Sequence, residues 1–363
     1  MRTPLDRYFD NGLPDLSPIW RRLRQAPWAI FNPIDLLFEL YRPAYFKKAT
    51  FAEPLGDPGW FGPDSRSWYV HTHTPSLWLG VFNTAVIDII HQGIQYAVFD
   101  HSKLVGRDKD GNVLPGKFST TGTFARAART HSFFTGVVYG PTEAAEALSA
   151  TVRAIHGHVK GVRPDGVPYD ADDPEFFRWT YCTVVDGLAA AHLRYHPKPL
   201  TGKALDQFYA EYARVGEALG GTGLPSTRAE CTYMLQHLSP VKDVKLNDDN
   251  RKYVEMRAPR GAGIVAEFAY WVLMDMMPLP VQEAVDFAQP ARFKHGLFKF
   301  TARTGVRILS IGGDLREVRE ANRRVRALPP RSRNMTQHED VDKARTDKAS
   351  TDDTEEPHLD RVC

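Results

Sequence analysis

The sequence predicts an all-α protein on three observations. Apolar residues recur at three- and four-residue spacing over windows far longer than a strand needs. Helix punctuation brackets these windows: Asp173-Pro174 suits an N-cap and first turn, and Gly161 and Gly220-Gly221 suit helix stops. No segment sustains the period-two alternation of a half-buried strand, and there is no internal repeat.

In chain order, residues 1–75 are rich in Pro, Gly and aromatics, with short helices expected near 18–25 and 34–46, and read as an extension wrapping the core. Residues 76–328 form one large helical domain, with helices expected at 77–99, 120–138, 141–160, 173–195, 200–219, 225–237, 264–276, 279–288, 291–308 and 314–327. Residues 161–172 read as a loop around Pro164-Asp165-Gly166, and 240–262 as polar and irregular. Residues 329–363 carry mixed charge and almost no large apolar side chains, the composition of a disordered tail.

Two consecutive helices carry the candidate chemistry. In 125–140, Arg126, Arg129 and Thr130 fall within little more than one turn. In 141–161, Ala144, Leu148, Val152, Ile155 and Val159 form an apolar stripe, and Arg153, His156 and Lys160 share a face beside it. Charge at the border of a core is costly unless partnered, so the pattern suggests a polar or anionic group held between the helices, such as haem with its iron and two propionates. An imidazole at such a border suits a metal ligand. On periodicity alone, a solvated basic face and a hydrogen-bonded histidine are the commoner origins of the same pattern. His158 lies on a different face from His156 and cannot share an ion with it.

Several further motifs stand in order and spacing together: His101-Ser102; Arg126-x-x-Arg129-Thr130; Val137 to Gly140; Arg153-x-x-His156-x-x-Val159-Lys160-Gly161; and Asp165-Gly166 through Tyr169, Ala171, Asp173 and Pro174 to Trp179. The stretch from Phe99 to Gly187 thereby resembles the rubber-oxygenase family, the group of latex clearing protein and of the oxygenase that cleaves the farnesyl chain in mycophenolic acid biosynthesis. The resemblance extends weakly over about residues 76–300. It implies an all-α fold with a globin-like core and haem b. It further implies His156 as the axial metal ligand and puts Arg126, Arg129 and Thr130, the expected catalytic residues, on the distal side, where dioxygen binds; the helix reading itself makes Arg153 and Lys160, which flank His156, the expected propionate partners. From their position on the helix, Phe133 and Phe134 read as core packing or as the lining of an apolar substrate channel. Two departures stand out. Tyr181 occupies a position where the family often has histidine, and no residue matches the family's distal glutamate, because Asp108 and Asp110 read as a polar turn.

Composition narrows the class. A net charge of +2, with no basic stripe interleaved with aromatics, gives no case for nucleic acid. Cys182, Cys231 and Cys363 have no C-x-x-C spacing, which favours a reducing compartment over a disulfide framework or zinc site. No signal peptide is visible, and the most apolar run, Leu77 to Phe99, is interrupted by Asn83, Asp88, His91 and Gln92, so a cytoplasmic protein is expected. Residues 17–31 mix Trp, Arg and apolar side chains and leave peripheral membrane contact open. Lesser candidates read as structure: His71-Thr72-His73 as a loop, Asp108 to Asn112 as a turn, Gly312-Gly313-Asp314 as a helix start, and Met274, Met276 and Met277 as core filling.

The expectation is a haem b-dependent, dioxygen-using oxygenase acting on an apolar, unsaturated isoprenoid- or lipid-like substrate, with oxidative C=C cleavage as the family precedent. Two alternatives stay open. One is a non-catalytic helical module that binds haem or lipid. The other is a non-haem metal oxygenase built on His91, His101 and His156.

Overall fold

The computed structural model describes residues 23, 33–39, 51–102, 104–110, 112–251, 263–311 and 313–327. Helices dominate. The first half holds α1 (Pro33–Phe38), α2 (Arg66–Thr72), α3 (Thr74–Ile90), α4 (Gln92–His101), α5 (Thr120–Tyr139) and α6 (Thr142–His156). The second holds α7 (Pro174–Tyr195), α8 (Lys203–Ala218), α9 (Arg228–His237), a 3₁₀ turn at Ser239–Asp243, α10 (Ile264–Met274), α11 (Leu279–Ala284), α12 (Arg292–Leu309) and α13 (Arg316–Arg326). Apart from residue 23, the expected helix at 18–25 and the segment 17–31 lie outside the described residues, as do most of the expected helix at 34–46 and the tail from 329.

The spine is the α3–α7 pair. Its backbones meet where neither helix carries a side chain: a Cβ on Gly80 would stand 2.8 Å from the Gly187 carbonyl oxygen, and one on Gly187 would stand 2.8 Å from Thr84 Oγ1. Beside this crossing Asn83, fully buried, donates to the Leu273 carbonyl at 2.9 Å and ties α10 to the spine. The main core runs through Ile87, Ile90, Trp179, Leu188, Phe208 and Tyr212. A second core joins the end of α7 to α10 and α12 through Ala191, Tyr195, Trp271, Phe298 and Val306. Met274, Met276 and Met277 are all buried, as filling residues should be. Cys182 on α7 and Cys231 on α9 are buried free thiols, with Cys231 Sγ 3.6 Å from the Cys182 carbonyl.

The local structure departs from expectation in four places. Two short antiparallel hairpins exist, β1 (Val105–Arg107) with β2 (Val113–Phe118) and β3 (Lys160–Val162) with β4 (Pro168–Asp170), where no strand run is legible. Strands β1, β3 and β4 have three residues each, too few to display alternation, and Pro115-Gly116 interrupts the pattern of β2. The expected helix 77–99 divides at His91, whose own Nδ1 accepts from the Ile94 amide and caps α4. His71 lies in the last turn of α2 and not in a loop. Finally, α6 stops at His156 because the chain turns at Gly157 and pairs as β3 from Lys160, and Ile155 of the expected buried stripe is exposed.

Candidate functional site

Helices α5 and α6 form an antiparallel hairpin turned at Gly140-Pro141. The turn is fixed from both ends of the described chain. Asp57 caps α6: its carboxylate accepts from the Thr142 amide at 2.7 Å and the Thr142 hydroxyl at 2.8 Å. Burial pushes the Asp57 carboxyl up, but the N–H groups of Gly59 and Thr142, the Thr142 hydroxyl and nearby Arg324 together hold it below its ordinary value. Arg324 of α13 is fully buried and donates to the carbonyls of Asp57 (2.8 Å), Phe51 (2.9 Å), Tyr139 (3.0 Å) and Gly140 (3.2 Å).

Along the hairpin, Gly136 sits directly against Leu148, where a Cβ would overlap the leucine side chain. Seven residues from Gly136 toward the start of α5 reach Arg129, and seven from Leu148 toward the end of α6 reach Ile155, each about 10 Å of rise. The hairpin therefore brings Arg126, Arg129 and Thr130 to the same end as Arg153 and His156. His156 continues the inward face of α6 marked by buried Ala145 and Ser149. Its ring lies 6.3 Å from that of Phe177. Its Nδ1 is buried and has no hydrogen-bond partner. Burial holds the imidazole below its ordinary pKa against the pull of Asp172, so the ring is neutral near pH 7, the form that ligates metal.

The cations divide. Arg126, half-buried, pairs with Asp88 of α3 at 3.1 Å. Burial pushes the Asp88 carboxyl above its ordinary value and Arg126 opposes this. Thr130 is half-buried and Arg129 exposed. Arg153 lines a cleft of about 610 Å³ with Ala154, Asp172, Phe177 and Gly220. Lys160 does not share a helical face with Arg153 and His156, because it opens β3; its side chain is exposed and its carbonyl lies 3.2 Å from His101 Nε2.

Several motif residues serve the β3–β4 hairpin. Gly161 lies under Tyr169, where a Cβ would stand 2.6 Å from the phenol oxygen. Tyr169 donates to Asp100 at 2.5 Å and lies 3.3 Å from His101 Nε2. Buried Arg163 in the hairpin turn pairs with Asp165 at 2.5 Å and with Asp243 at 2.8 Å. Trp179 donates to the Leu235 carbonyl at 3.2 Å, locking α7 to α9. Tyr181 is buried on α7 with its hydroxyl unpartnered.

The set His91, His101 and His156 is not assembled. His91 uses both nitrogens, Nε2–H donating to the Pro240 carbonyl at 2.9 Å and Nδ1 accepting from Ile94, while His101 serves the hairpin. Among the described residues no three His, Cys, Asp or Glu side chains form a metal-ligating group. Two features carry no signal in sequence: Asp88, which is 38 positions from its partner Arg126, and fully buried His71, stacked on Tyr212 at 5.4 Å with both ring nitrogens unpartnered.

Residues 68–306 match the family described as "ER-bound oxygenase mpaB/B'/Rubber oxygenase, catalytic domain". Neither the curated proteins nor the solved structures provide a match. No helix among the described residues is long and apolar enough to cross a membrane. The match spans well over half of the chain, which belongs to this oxygenase family.

Proposed function

We propose that this member of the oxygenase family is a haem b-dependent enzyme that uses dioxygen on an apolar, unsaturated isoprenoid- or lipid-like substrate. The reaction proposed is cleavage of a C=C bond into two carbonyls, which consumes one dioxygen per bond and balances without a further reductant. The supporting observation is His156: a neutral imidazole on the inward face of a helix end, with a buried ring nitrogen that the protein leaves unpartnered. An unpartnered buried polar atom costs roughly 1–3 kcal/mol, so its retention favours a ligating role. Haem, when bound, supplies the redox chemistry that dioxygen needs to react with a closed-shell alkene.

The chain's own residues supply the rest. His156 would hold the iron, and Arg153, beside it on α6, would be the cation for a propionate, with exposed Lys160 of β3 as a second cation for the same charge. Arg126 and Thr130 provide a fixed positive charge and a hydroxyl at the facing end of α5, with Arg129 at the solvent margin. Electrostatic preorganisation of this kind is the usual large term in catalysis. Asp88 keeps Arg126 oriented through the 3.1 Å pair. Phe133 and Phe134 pack half-buried against the main core, and their remaining exposed surface would line the apolar approach.

The test is the absorption spectrum of the purified chain with pyridine haemochrome analysis. A Soret band at about one haem per chain, lost in His156→Ala, is expected; no haem after expression with added precursor would overturn the reading. The second reading, a non-catalytic haem- or lipid-binding module, takes its support from Tyr181, whose hydroxyl is buried and unpartnered where family members carry histidine. Dioxygen consumption driven by an unsaturated isoprenoid separates the two.

A further inference from the structure

Helix α12 is apolar on two opposite sides. Phe298, Ala302 and Val306 form its buried stripe against the second core. On the other side Phe293 is 87% exposed, Leu297 44%, Phe300 70% and Ile308 59%, and Ile311 just beyond the helix is 74% exposed. At 100° per residue the four helical positions fall within about 80° of arc, centred opposite the buried stripe. They are one strip, whereas single exposed apolar residues are ordinary. Ile264 and Val265 in the first turn of α10 are exposed as well, on a helix that packs against α12 through the Phe268–Phe298 contact at 5.3 Å.

The charge on α12 is one-sided. Arg292, Lys294, Lys299, Arg303 and Arg307 are its charged residues, and it holds no Asp or Glu. Arg292, Lys299, Arg303 and Arg307 lie along one flank of the exposed strip. Lys294, on the other flank, pairs with Glu267 at 2.5 Å, and Arg303 donates to the Arg194 carbonyl at 3.2 Å. Lys299 and Arg307 are exposed.

We propose that this face of α12 docks on an anionic lipid bilayer, with Phe293, Leu297, Phe300 and Ile308 entering the acyl boundary and the basic flank facing lipid headgroups. The occupant must be apolar and negatively charged at once, and an acidic bilayer surface offers both over the length of a helix. A second copy of the chain fits less well, because two-fold packing of this face would set two acid-free basic helices side by side. The chain's own acidic segment, 339–360, fits less well too: it has charge, but only Val341 and Leu359 as large apolar residues. The proposal is independent of haem and of turnover.

The test is co-sedimentation of the full chain with vesicles of phosphatidylcholine alone or with about one part in three phosphatidylserine. Binding should be at least about tenfold tighter to the acidic vesicles and should weaken at high salt. Phe293→Ser with Phe300→Ser should reduce it about tenfold or more, and Lys299→Glu with Arg307→Glu by a similar factor. All four positions are exposed, so melting temperature and circular dichroism should not change, which separates lost docking from lost folding. Equal binding to both vesicle types, or variants that bind like the parent, would overturn the proposal. So would a concentration-dependent dimer in sedimentation velocity that the Phe variants abolish.

Discussion

Replacing Arg324 with Met removes a group that joins the residue 51–57 segment, α13 and the α5–α6 turn at once. The guanidinium is fully buried and serves four carbonyls at 2.8, 2.9, 3.0 and 3.2 Å. Met fills much of the volume but donates nothing, so these acceptors lose their donor and Asp57 loses a nearby positive charge. At about 1 kcal/mol net for each bond, the loss is about 4 kcal/mol, in line with the 3–5 kcal/mol typical of breaking a buried charged network. Urea unfolding followed by circular dichroism measures it, and thermal melting should fall by about 2–4 °C per kcal/mol or slightly less. Arg324→Lys should recover less than half, because a single ammonium cannot span two pairs of carbonyls that the planar fork bridges. A loss below about 1 kcal/mol, or full rescue by Lys, would refute the assignment of this arginine as the tie.

Two further outcomes are expected. Burial lowers the imidazoles of His71 to about 3, His73 to about 4, His91 to about 4 and His192 to about 3. These groups are neutral when folded but bind protons near pH 6.5 when unfolded, so stability is full above that value and is lost as pH falls from 6.5 toward 4. The slope is at most about 1.4 kcal/mol per pH unit for each, and Asp88 and Asp186, pushed up by burial, oppose it in part at the acid end. A urea midpoint that stays flat between about pH 7 and 5 would contradict this. For the site, Arg126→Ala should leave haem content near that of the parent while turnover falls more than about tenfold; turnover retained at parental levels would remove Arg126 from the machinery.

Much of this was legible in sequence where a helix carries its own ends. Asp173 accepts from the Glu175 and Phe176 amides and Pro174 follows it, so α7 begins where its residues say it should. Val159 misled, because it continues the apolar period of α6, yet β-pairing from Lys160 ends the helix at His156 and takes Lys160 off the shared face. The break at His91 depends on its ring capping the next helix and bonding to Pro240, a partner 149 residues away. The pairing of Arg126 with Asp88 is likewise tertiary. Motifs such as His101, Gly161 and Tyr169 were visible as a set, but their role in clasping a hairpin needs three-dimensional proximity that spacing does not encode.

The two buried thiols make the molecule its own reporter of breathing. Cys182 and Cys231 lie on different helices of the main core, and burial pushes the Cys231 thiol well above its ordinary value, so neither reacts while the core is closed. A thiol reagent must wait for an opening event: where reclosing outpaces reaction, its rate divided by that of an unstructured thiol gives the population of the open state, and at saturating reagent the rate is that of opening itself. Opening at the α7–α9 seam can therefore be timed in a Cys363→Ser chain, with the two parent core thiols as the clock.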